Sequence, residues 1–212
     1  MKLEFVFDFE ATKAAILYLA AKQLPDFDKY KTCKLLFLAD REHLLRFGRT
    51  ITGDAYDALP YGPTPCETLN LLDGLEAVAI EGKPPQNDKV DDLVRSLRLT
   101  DLRYPQYEPQ AAADMESLSE SDTLVLDQIA AEYGSKGFAE LKALTHGMAA
   151  YTRAWQENAV GMKFRMSFED FFAETPDKMD FLKEIAEMQF LSKVFVDPAA
   201  PCLTATSSSR ST

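Results

Sequence analysis

The chain has 212 residues, 46% of them apolar and 27% charged, with a formal net charge of −11. That length suits one domain with an ordinary hydrophobic core. No run reaches the ~18 uninterrupted apolar residues that a membrane-spanning helix needs. The start MKLEFVFDFEATKAA carries acids within its apolar part, unlike a secretory leader. Cys33, Cys66 and Cys202 are odd in number and far apart, with no CxxC spacing. They suit neither a zinc site nor a disulfide framework, and a reduced cytoplasm is the expected compartment.

The negative charge is concentrated. Residues 61–135 carry fifteen acids against five bases, and no Lys or Arg occurs between Tyr104 and Ser135. Such a segment repels phosphate backbones, so no nucleic-acid partner is expected. It serves solubility, or it attracts a basic protein.

In chain order, Asp8–Gln23 reads as an Ala-rich helix with Asp8 as cap and Pro25 just past its end. Asp28 opens a second helix that runs to Phe47 and is closed by Gly48. Arg49–Ala58 alternates around Gly53-Asp54 and predicts a small hairpin. Tyr61-Gly62-Pro63 predicts a turn, with Thr64 or Pro65 starting a helix to about Ile80. Glu81–Asp88 reads as loop, and Leu97–Pro109 as a second small hairpin. Ser119–Asp122 caps a helix closed by Gly134. Further helices are expected over Phe138–His146, Ala149–Asn158, a short one from Ser167 with Asp170 as its capping-box partner, and Lys178–Val196. Thr204–Thr212 lacks core-forming residues other than alanine and is expected to be disordered.

The second helix contains the chain's most informative residues. Cys33, Leu36, Phe37, Asp40, Leu44 and Phe47 share a face, and Leu35, Leu38 and Leu45 cover an adjoining one. The helix is therefore expected at the centre of the fold, with Cys33 as a small buried hydrophobe. Asp40 lies inside this apolar surface and needs a partner. The candidates are His43, the hydroxyl of Tyr56 or Tyr61, and His146. An acid–base unit of Asp40 with His43 or His146 is one reading. The other is a polar brace of Asp40 and His43 that locks the helix to the Tyr61-Gly62-Pro63 turn. The brace is favoured, because no nucleophile or oxyanion donor set accompanies these groups. Two histidines with Asp40 or Asp54 lack any metal-binding spacing, and no metal or cofactor is expected. Gly48, Gly53 and Gly62 match no phosphate-loop pattern and read as backbone punctuation. Trp155, the only tryptophan, reads as a core residue or a partner anchor.

KLLFLADREHLLRFGRTITGDAYDALPYGPTP, Lys34–Pro65, resembles the signature of the SocA-like antitoxin, or Panacea, domain. The matching pieces are the KLLF helix, Gly48-Arg49, Asp54–Ala58 and the YGPTP turn. ELKALTHGMAAYTRAW, Glu140–Trp155, is similar to the family's second element, and SFEDFF to the short helix that follows. The resemblance spans roughly residues 10–175. Gly147 and Met148 depart from it, standing where a more polar pair is expected. It implies a mainly α (α+β) fold, a single helical domain with a small antiparallel β-hairpin element; the change of composition past Pro198 sets that domain at residues 1–197 and a disordered C-terminal tail at 198–212. The resemblance also implies a non-enzymatic antitoxin that binds a cognate toxin protein, with the acidic middle suited to a basic one. The alternatives are an adaptor that delivers the toxin to a cytoplasmic AAA+ protease, and a hydrolase built on Asp40, His43 and His146. The partner face is expected around Tyr56, Tyr61, Gly62, Pro63, His146 and Trp155. No basic recognition helix marks a DNA-binding repressor.

Overall fold

The computed structural model describes residues 2–155 and 163–196. Their architecture is mainly helical with a few short antiparallel strands. Helix α1 spans Phe9–Ala20, and Asp8 caps it by accepting the Ala11 amide. It stops short of Gln23, whose φ of 53° breaks the helical path before Pro25. Helix α2, Lys29–Phe47, is capped by Asp28 and closed by Gly48 in the left-handed conformation. Every residue from Lys31 to Asp40 is buried. A helix apolar over most of its circumference can satisfy that surface only at the centre of a fold. Each fully buried leucine or phenylalanine here contributes roughly 1.5–3 kcal/mol. Helices α3 (Cys66–Glu81), α5 (Glu120–Tyr133) and α6 (Phe138–His146) pack around it.

The first hairpin is displaced from its expected place. The strands are β1, Tyr56–Leu59, and β2, Gly62–Pro65, joined through Pro60-Tyr61. Residues 49–55 are not a strand, because the Ile51 and Thr52 amides are taken by the Asp40 carboxylate and are lost to any ladder. Tyr61-Gly62-Pro63 accordingly spans the turn and the first half of β2, and α3 begins only at Cys66. Pro65 offers α3 no side-chain cap; Asp54 supplies it from a distance. One Asp54 oxygen accepts the Cys66 and Glu67 amides, and the other accepts the amide and hydroxyl of Thr68. Strand β5, Phe164–Arg165, adds to the far edge of β1 to complete a three-stranded sheet.

Helix α4, Asp88–Ser96, follows the expected Glu81–Asp88 loop and has no counterpart among the elements expected from the sequence. Two apolar anchors, Val90 and Leu93, bury its inner face, and Asn87 caps it. Strands β3 (Leu97–Leu99) and β4 (Tyr107–Pro109) form the second hairpin in the expected place. The Ser119/Asp122 capping box of α5 forms as read. The expected box at Ser167 does not: Ser167 bonds Glu169, Asp170 pairs with Arg153, and Phe168–Phe172 is a 3-10 turn. Helix α7, Ala149–Ala154, ends before Trp155, and the last residues of the expected helix lie outside the described ones. Helix α8, Lys178–Val196, follows, and the expected tail likewise lies outside the described residues.

Candidate partner-binding site

Asp40 is buried and braces the chain just after α2. Its carboxylate accepts the Ile51 amide at 2.8 Å, the Thr52 amide at 3.0 Å, the Thr52 hydroxyl and the Tyr56 hydroxyl at 2.7 Å. Burial pushes the carboxyl pKa up, and these four donors pull against that shift. Of the partners expected for Asp40, only Tyr56 is engaged. Tyr56 is itself buried, so it belongs to the brace and not to an accessible face.

His43 serves a different junction, since three positions along α2 turn it toward the start of α5. Its Nδ1 meets the Arg49 carbonyl oxygen at 2.8 Å, while Nε2 lies 3.0 Å from Ser121 Oγ and 2.9 Å from Asp122 Oδ1. Asp122 also binds the Arg49 guanidinium at 2.8 Å. The donors from His43, Arg49 and Ser119 hold its carboxyl well below the usual range, against the pull of burial. Asp40, His43 and His146 thus have three separate sets of neighbours, and the acid–base unit, the less favoured reading of the sequence, does not form. Among the described residues no group of three or more His, Cys, Asp or Glu is placed to hold a metal ion.

The other expected residues converge around the β1–β2 turn. Tyr61 is 60% exposed, with its ring 5.8 Å from that of Phe138, itself 51% exposed, and Lys142 lies over the Tyr61 ring at 5.3 Å. Gly62 and Pro63 are buried and shape this face from behind. Gly62 has φ of 104°, and a Cβ there would come within 2.9 Å of Thr145 Oγ1, 3.2 Å of Lys34 Cε and 3.3 Å of His146 Cδ2. Only glycine fits. The imidazole of His146 packs 4.4 Å from Tyr151, which stacks on Trp155 at 5.8 Å, and Trp155 meets Phe164 edge-on. The Tyr151 hydroxyl donates to the Leu59 carbonyl, tying α7 to the hairpin. Trp155 is half-buried, placed between the core and the surface.

Lys34 and Tyr30, neither of them among the expected site residues, lie directly behind this face. Lys34 Nζ is buried, donates to the Pro63 carbonyl at 2.6 Å and sits 4.8 Å over the Tyr30 ring. It is thus Lys34, and not Asp40 with His43, that ties α2 to the Tyr61-Gly62-Pro63 segment. Lys34 stands at the head of the apolar run Leu35–Ala39, which Asp40 closes.

The acids of residues 61–135 are partly spent inside the molecule. Asp73 and Glu76 bind Lys29, Asp92 binds Lys13, and Asp127 binds Lys22. No helix among the described residues is long and apolar enough to cross a membrane.

Neither a curated protein nor a solved structure matches the chain. The model of the family described as "Antitoxin SocA-like, Panacea domain" does match, over residues 33–152. That span takes in α2 from Cys33, the β1–β2 hairpin, α6 and the first residues of α7, which build most of this face. The chain belongs to the SocA-like antitoxin, Panacea-domain family.

Proposed function

We propose that this chain is an antitoxin that neutralises its toxin by direct binding, through the face around Tyr61, Phe138, Lys142, His146 and Trp155. A toxin partner is what the family implies. The single observation that supports this face is the pair of large exposed aromatics, Tyr61 and Phe138, set side by side with a lysine over one ring. Aromatic side chains in such settings are the usual anchors of protein interfaces. The acidic middle carries less of the argument, because several of its carboxylates are already paired with lysines of α1, α2 and the segment between them. Residues 1–197 act as the binding unit.

Co-expression with the product of the neighbouring gene tests the reading. Growth inhibition by that product alone, relief when this chain is present, and co-purification of the two are expected. A harmless neighbour, or relief without any complex, contradicts it. Relief accompanied by a shortened toxin half-life that depends on a protease supports the adaptor alternative instead.

A further inference from the structure

Behind the exposed aromatics lies a set of polar groups whose bonding capacity the described residues leave unfilled. Lys34 is 1% exposed and carries three N–H donors, of which one reaches the Pro63 carbonyl. The lysines around it are better supplied. Lys29 binds Asp73 and Glu76, and the buried Lys31 donates to the carbonyls of Pro25 and Gly134. Lys34 has no carboxylate in ion-pairing reach among the described residues. Two further buried polar atoms nearby, the Tyr30 hydroxyl and His146 Nε2, have no hydrogen-bond partner among them. Tyr30 is linked to Lys34 by the cation–π contact, and His146 by their shared approach to Gly62. Asp28, the acid that acts on the Tyr30 hydroxyl, is occupied in capping α2 through the Lys31 amide.

A buried ammonium with spare donors, beside a phenol and an imidazole that also lack partners, is a costly arrangement for an empty fold. It is suited to one kind of guest. We infer that Lys34, Tyr30 and His146 form a receptor for a single carboxylate carried by the protein partner, from an Asp or Glu side chain or from a chain terminus. The inference rests on the direct-binding reading above for its partner, but the subsite itself can be assayed without one. The planar carboxylate offers about four lone-pair sites, enough to accept Lys34 Nζ–H, the Tyr30 O–H and an imidazole N–H together. Tyr30 and His146 are both partly exposed and provide the way in. Locally the site is positive, with Lys142 and Lys34 both acting on His146, although the chain as a whole is strongly acidic. Burial lowers the pKa of Lys34 to about 8, so at neutral pH the amine still carries its proton but holds it weakly. An incoming carboxylate would raise that value again.

Two small probes test the subsite on the full chain by NMR, read at the His146 ring and Lys34 side-chain resonances. N-acetylglycine presents a terminal carboxylate, and the α-amide of N-acetylaspartate presents a side-chain one. Propionamide, of similar size but uncharged, and sodium chloride at equal ionic strength are the controls. Saturable shifts with at least one carboxylate are expected, lost in Lys34→Met and weakened at least fivefold in Tyr30→Phe. The tighter probe then names the source of the group. Equal shifts with propionamide, shifts unchanged in Lys34→Met, or no saturation with either carboxylate overturn the inference and leave these atoms to water. A saturable site in a chain that forms no complex with the toxin would refute the direct-binding reading and keep the subsite.

Discussion

Replacing Asp40 by Ala is expected to lower stability by about 3–5 kcal/mol, because four buried donors lose their common acceptor. They are the Ile51 and Thr52 amides and the Thr52 and Tyr56 hydroxyls. A loss of that size is a large part of the roughly 5–15 kcal/mol that holds a domain folded. Asp40→Asn should cost a comparable amount, since the amide turns one acceptor into a donor that faces other donors. Tyr56→Phe removes one donor and leaves the carboxylate three, so about 1–1.5 kcal/mol is expected. Urea midpoints rank the three variants. Were Asp40→Ala as mild as Tyr56→Phe, the loop over residues 49–55 would not depend on this carboxylate.

The second large effect is a dependence of stability on alkaline pH that belongs to Lys34. Its ordinary pKa of 10.5 falls to about 8 in the fold, because burial disfavours the charged amine. Between those values the unfolded chain holds the proton and the native chain does not. Stability must therefore rise as pH increases from about 8 toward 10.5, and the gap corresponds to about 3 kcal/mol. Tyrosines and other lysines titrate in the same range, so the informative quantity is the difference between the native chain and Lys34→Met. From pH 8 to pH 10 the native chain should gain stability relative to the variant. At pH 7, Lys34→Met should be as stable as the native chain or more so, because an apolar chain of similar volume replaces a buried charge that lacks a counter-ion. A native chain that gains no more than the variant would show that Lys34 is solvated or paired. Greater stability with weaker partner binding in one variant would identify a residue retained for recognition.

Much of the scaffold was legible along the chain because its signals are local. Asp8, Asp28 and Gly48 mark helix ends through caps that act within a few residues, and the structure uses each of them. The central position of α2 follows from apolar residues on most of its faces. The errors arise where a carboxylate acts over a distance. Asp40 removes two amides from a would-be strand eleven and twelve residues later, and Asp54 caps a helix that starts twelve residues further on. Alternation and capping patterns carry no record of such long-range donors. Helix α4 escaped notice because two anchors, Val90 and Leu93, suffice to hold a nine-residue helix whose other residues are mostly polar.

The site was legible in its surface and not in its depth. Tyr61, Gly62, Pro63 and His146 were read together, and the structure brings them together around one turn. The tie behind them comes from a residue outside the expected brace. Asp40 and His43 secure the chain after α2 and the start of α5, whereas Lys34 reaches Pro63. A lysine is ordinarily read as a solvated residue, and only the unbroken burial around it reveals that this one is not.

The central claim, that the face around Tyr61 binds the toxin, is tested most directly by the affinity of the purified Tyr61→Ala chain for that toxin. Tyr61 is exposed, so the variant should keep the native urea midpoint. Loss of an interface anchor at this position should weaken the complex by about 2 kcal/mol, or roughly thirtyfold in Kd. An unchanged Kd in the folded variant would contradict the account and move the interface elsewhere on the molecule.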